Sequence, residues 1–80
     1  MKLKYYLIIK SGLPEKIGYL YVTGFEQPFS TMKVTKAISG LNQKIIECRW
    51  GENNQWEFMR ERLDKSYPNH YNTATGIFFY

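Results

Sequence analysis

The sequence predicts an all-β domain with one short helix near its end, built as a small five-stranded antiparallel barrel. Three observations carry this. Residues 2–10 alternate well between apolar and mostly polar positions. Four further short runs rich in β-branched, aromatic or alternating apolar residues follow, separated by segments containing Gly, Pro, Asn and Ser. Aromatic side chains make up 18% of 80 residues, so an economical core is available to a chain that buries only about 60 to 65% of its unfolded surface.

The elements follow in order. Leu3, Tyr5, Leu7 and Ile9 share one face of the first strand, and Lys2, Lys4, Tyr6 and Lys10 the other. Ser11 to Lys16 supply a long turn, after which Gly18 to Phe25 read as a second strand paired with the first, with Gly24 marking a bulge or the strand's end. Pro28 interrupts pairing, and Thr31 to Thr35 form a short third strand. Lys36 to Ser39 suit a single helical turn closed by Gly40. Lys44 to Trp50 make the fourth strand, with Ile46, Cys48 and Trp50 on one face and Ile45, Glu47 and Arg49 on the other, before a turn over residues 51–54. The next segment is ambiguous: Trp56, Met59 and Leu63 recur at helical spacing and the residue types favour a helix. Four preceding strands argue for a fifth, on which Trp56, Phe58, Arg60, Arg62 and Asp64 would project together. Pro68 opens a short helix that packs Tyr71 on the barrel and ends at Gly76. Five such strands in 64 residues suit a partly open Greek-key barrel of the oligonucleotide-binding (OB) type, and residues 1–80 make one domain.

Eleven Lys and Arg against seven Asp and Glu give a net charge of +4, which favours polyanionic partners without naming one. The single cysteine, Cys48, rules out an intramolecular disulfide and reads as a small core residue. No apolar run approaches the roughly 18 to 20 residues that span a bilayer, and the apolar stretch near Met1 is too short for a signal peptide, so no membrane partner is expected.

Chemistry concentrates between Trp56 and Asn69. On their own, Arg60, Arg62 and Lys65 read first as a solvated strand face, with Glu57, Glu61 and Asp64 near enough to pair with them. Their functional reading is a polyphosphate site. Arg62 offers a planar fork for two phosphate oxygens and Lys65 a compact mobile ammonium. Asp64 repels phosphate, so it either holds one of those cations or caps the turn before Ser66. Arg60 contacts RNA or a second domain, or pairs with Glu47 or Asp64. Trp56 and Phe58 continue the apolar face and belong to the core, whereas Tyr6, Tyr19 and Tyr21 are candidates for stacking on bases. His70 has no nucleophile arranged beside it and reads as a surface residue, and no metal-ligand cluster is present in the sequence.

The pattern Trp-x-Phe-x-Arg-x-Arg-x-Asp-Lys-x-x-Pro-Asn, here Trp56 to Asn69, resembles the last signature motif of eukaryotic mRNA capping enzymes, in the C-terminal domain of the RNA guanylyltransferase. The similarity extends through Lys44 to Trp50, Gly24 to Phe29 and Tyr71 to Ala74, roughly residues 5 to 75. It implies an OB-type lid that closes over a separate nucleotidyltransferase domain. In that role Arg62, Asp64 and Lys65 orient the β and γ phosphates of GTP, Arg60 is an auxiliary phosphate or RNA contact, and Trp56, Phe58, Pro68 and Asn69 support the motif. It also implies GTP as substrate, magnesium in the complete enzyme but bound by nothing in this chain, and GMP transfer to the 5′-diphosphate end of nascent RNA. RNA polymerase II, engaged through the complete enzyme, and the nucleus follow from the same resemblance. The family's nucleophile lies in a Lys-x-Asp-Gly motif, and that tetrapeptide does not occur in these 80 residues. The resemblance therefore implies a lid inactive in isolation, part of a longer enzyme and shortened at its C-terminal side. The alternative is a stand-alone OB module that binds single-stranded nucleic acid.

Overall fold

The computed structural model describes residues 2–12 and 15–78. Five strands, β1 (Lys2–Lys10), β2 (Ile17–Tyr21), β3 (Ser30–Lys33), β4 (Ile45–Trp50) and β5 (Trp56–Glu61), precede the helix α1 (Tyr71–Phe78). All pairings are antiparallel, in the order β3-β2-β1-β4-β5. The sheet curls into a half-barrel, the OB-like fold that the alternation predicts. Long β1 makes this possible by changing partners along its length: Lys2 to Tyr6 pair with β4, and Tyr6 to Lys10 with β2. Among the described residues, no helix is long and apolar enough to cross a membrane.

The concave face holds the core. Leu3, Tyr5 and Leu7 on β1, Leu20 on β2, Ile46 and Cys48 on β4 and Trp56 on β5 are all buried, with Ile38 and Ala74 closing the ends. An aromatic chain threads it. Phe25 stacks on Tyr71 at 4.5 Å, Tyr71 meets Phe29 at 6.1 Å, Phe29 meets Tyr5 at 6.2 Å, and Tyr5, Trp56 and Trp50 follow edge to face at 5.1 and 5.2 Å. Trp56 and Phe58 are thus core residues, as their place on the apolar face predicts.

The convex face is basic. On β1 it carries Lys2, Lys4 and Lys10, and on β3 Lys33. Register places Arg49 and Arg60 there on β4 and β5, and Arg62 extends the ladder through its N–H to the Ile45 carbonyl at 2.9 Å.

Several boundaries differ from the periodicity. Strand β2 stops at Tyr21, because Thr23 pairs with His70 and Gly24, at φ 85°, turns the chain. Strand β3 ends at Lys33, and Lys36 to Gly40 form consecutive turns in place of a helical one. The helix begins at Tyr71, after Pro68 and Asn69, and runs through Gly76, which lacks the left-handed φ of a helix stop. Tyr71 packs against the core as expected.

Candidate functional site

The fifth strand is where the simple alternation fails. Cys48 faces Phe58 and Glu47 faces Arg60, so Met59 is an extra residue, a β-bulge. A one-residue insertion reverses the parity of everything beyond it. Arg60 and Arg62 therefore leave the face of Trp56 and Phe58 and emerge on the convex side beside Glu47. Asp64 is not on the strand at all, since β5 ends at Glu61 and Leu63 and Asp64 form a turn closed by the Lys65 N–H on the Arg62 carbonyl at 3.3 Å. The expectation that Trp56, Phe58, Arg60, Arg62 and Asp64 share a face is corrected on this point.

The bulge assembles an ion network. Glu47 Oε1 accepts from Arg60 Nε at 3.0 Å and from Arg62 Nη1 at 2.8 Å. Asp64 takes Arg62 side-on, with Nε to Oδ1 and Nη2 to Oδ2 both at 3.0 Å. Arg62 is only 15% exposed and Glu47 12%, whereas Arg60 is 64% exposed. Arg60 thus pairs with Glu47 and not with Asp64. The hydrogen bond from Arg60, then that from Arg62, holds the Glu47 carboxyl below the usual carboxylate range against its burial. Arg62 and then its own backbone N–H bring Asp64 down to about 2. The hydrogen bonds from Arg62 to Asp64 and Glu47 in turn raise the guanidinium further above its ordinary value.

A guanidinium has five N–H donors and three are engaged here, leaving two for a ligand. Lys65 lies exposed on the same turn and makes no ion pair among the described residues. The site therefore presents a fixed planar donor next to a mobile ammonium. Leu63 and Tyr67, 87% and 75% exposed, flank it, and nothing in the sequence pattern marks them as exposed.

Asn69 fastens the far end. The first half of β1 pairs on one edge only, and Asn69 occupies the other: its Oδ1 accepts the Lys4 N–H at 2.6 Å while its own N–H reaches the Lys4 carbonyl at 2.9 Å. The Thr23 N–H donates to the Asn69 carbonyl at 2.9 Å, and the Thr23 hydroxyl to the Pro68 carbonyl at 3.2 Å. The motif's Pro-Asn pair is thus a clasp between β1 and the end of β2, and this is why it is not helical. His70 also has a defined task, since its Nδ1 accepts the Asn72 N–H at 3.0 Å and caps α1. Among the described residues, no three His, Cys, Asp or Glu side chains converge as metal ligands.

Comparison with known proteins shows the family. The family model described as "mRNA capping enzyme, C-terminal domain" matches residues 1–79, more than the roughly 5 to 75 that the motifs alone carry. The chain is 55% identical over 65 residues to an mRNA-capping enzyme of Mus musculus, 48% over 65 residues to one of Danio rerio, and 47% over 70 residues to one of Caenorhabditis elegans. Each match covers 81% of this chain, which spans 11% of each relative's length. The chain belongs to the family of mRNA capping enzyme C-terminal domains.

Proposed function

We propose that the turn carrying Arg62, Asp64 and Lys65 orients the β and γ phosphates of GTP while GMP is transferred, in a complete guanylyltransferase, toward the 5′-diphosphate end of RNA. One observation supports the reading: Arg62 is held by two carboxylates through three of its five N–H donors, which leaves two for phosphate oxygens. Asp64, ionised at any physiological pH, acts through Arg62 and fixes the plane of its fork. Lys65 adds a point charge able to follow the departing pyrophosphate. Their contribution is electrostatic, stabilising charge that accumulates on the leaving group once a second domain presents the nucleotide. Arg60, paired on one side and open to solvent on the other, is placed for an auxiliary phosphate or RNA contact.

The residues do not fit a magnesium site, because the two carboxylates nearest the cations, Glu47 and Asp64, are both engaged by guanidinium groups. On this reading GTP and the 5′ end of nascent RNA are substrates, a nucleotidyltransferase domain is the immediate partner, and the nucleus is the compartment.

The test is made in the complete enzyme that carries this domain, following the covalent enzyme–GMP adduct and release of pyrophosphate. Arg62→Ala is expected to slow adduct formation by about 10²- to 10³-fold, the scale for loss of one preorganised donor. Arg62→Lys should recover little, because it restores the charge without the fork. Rates within about twofold of wild type for both Arg62→Ala and Lys65→Ala would make the network a structural one.

A further inference from the structure

We propose that the convex face of the sheet, which adjoins the phosphate turn at Arg62, binds single-stranded nucleic acid, with Lys4 and Lys10 taking phosphates and Tyr6, Tyr19 and Tyr21 stacking on bases. Seven of the chain's eleven basic side chains project from this face, against four carboxylates that reach them, Glu15, Glu47, Glu57 and Asp64. All four are taken up by Lys33, Arg49, Arg60 and Arg62. Lys2, Lys4 and Lys10 make no ion pair among the described residues, so the face keeps a net +3 concentrated on β1.

The aromatic component is equally ordered. Register sets Tyr21 opposite Tyr6 and Tyr6 opposite Ile45, whose carbonyl receives the Arg62 N–H, so one transverse row runs from Tyr21 to Arg62 over three strand spacings, about 14 Å. Tyr19 lies in the neighbouring row opposite Ile8, with Lys10 Nζ 5.2 Å from its ring centroid. All three tyrosines are half-buried, held at the base with a surface left open. Aromatic rings interleaved with lysines on a basic surface suit unstacked bases joined by phosphates. A convex sheet offers no element to enter a duplex groove. A permanent protein interface is the weaker occupant, since interface cores are depleted in lysine. None of this depends on the phosphate reading of Arg62 and Lys65.

The experiment uses the 80-residue chain and fluorescence anisotropy of labelled 12-mer oligo(U), oligo(dT) and a 12-base-pair duplex, with labelled heparin as a polyanion without bases. Oligo(U) should bind more tightly than duplex and weaken steeply between 50 and 200 mM salt. Lys4→Gln/Lys10→Glu should weaken both oligo(U) and heparin about tenfold or more, whereas Lys36→Glu, off the sheet, should change neither beyond about twofold. Tyr6→Leu/Tyr21→Leu should weaken oligo(U) about tenfold while leaving heparin unchanged. Equal binding of oligo(U) and oligo(dT) assigns the face to any single strand, and a preference for oligo(U) assigns it to RNA. The proposal is overturned if Lys4→Gln/Lys10→Glu binds like wild type, if Lys36→Glu costs as much, or if the folded tyrosine variant binds oligo(U) unchanged. Should the tyrosine variant melt below assay temperature, the lysine variant and the preference for single strand over duplex decide the matter.

Discussion

Replacing Asn69 by alanine removes one acceptor, Oδ1, from the Lys4 N–H and leaves the rest of the clasp in place. That N–H is partly buried on an edge of β1 that has no strand beside it, so no backbone carbonyl can replace the lost oxygen. Leaving such a donor unpaired costs about 1–2 kcal/mol. In a domain of this size that corresponds to a melting temperature lower by roughly 6–12 °C. The backbone bonds Asn69 N–H to Lys4 carbonyl and Thr23 N–H to Asn69 carbonyl survive, so the fold should persist. Thermal denaturation gives the global cost, and hydrogen exchange at the Lys4 amide isolates the cause. That amide should lose protection in Asn69→Ala and regain most of it in Asn69→Asp, whose carboxylate offers the same oxygen. An unchanged exchange rate at Lys4, or a melting shift below about 2 °C, would refute the claim that Asn69 fastens the segment after Arg62 and Lys65 to the sheet.

Three further outcomes are expected. Asp64 has its carboxyl lowered to about 2 by Arg62 and its own N–H, so its contribution to stability is complete above the unfolded-state value near 4 and lost as pH falls toward 2. Urea titrations from pH 2 to 6 should show wild type and Asp64→Asn converging at the acid end and separating to a plateau above about pH 5. Glu47→Leu should destabilise by about 1–3 kcal/mol in urea denaturation, because it strips a hydrogen-bonded anion from Arg60 and from the largely covered Arg62. Tyr5 is fully buried with no hydrogen-bond partner for its hydroxyl among the described residues, and burial followed by Cys48 pushes its ionisation far upward. Tyr5→Phe should therefore raise stability by about 1 kcal/mol, near 6 °C in melting temperature.

The sheet was legible wherever one face alone is buried. Leu3, Tyr5 and Leu7, and later Ile46 and Cys48, alternate because their neighbours meet water, and alternation fixes register. The candidate site was legible in its residue types but not in its arrangement. The bulge at Met59 has no glycine or other local mark, and it is the bulge that moves Arg60 and Arg62 to the convex side and joins both to Glu47. Pro68 looked like the first residue of a helix because nothing local reveals that β1 has a bare edge at Lys4, 65 residues away, for Asn69 to fill. The same holds for His70, whose capping role depends on where α1 starts and not on its own surroundings in the chain.

The two tryptophans, the only ones in the chain, close the aromatic row at the β4–β5 hairpin with ring centroids 5.2 Å apart and planes at 71°. Chromophores so near and so fixed in angle sit in an asymmetric, rigid setting, so the folded domain should carry a tryptophan signal in near-ultraviolet circular dichroism that disappears when tertiary packing loosens. Trp56 is buried and Trp50 half-open beside the gap between β3 and β5. The hairpin that positions Arg60 and Arg62 thus holds its own optical gauge, one that reads movement at the barrel's seam without any added label.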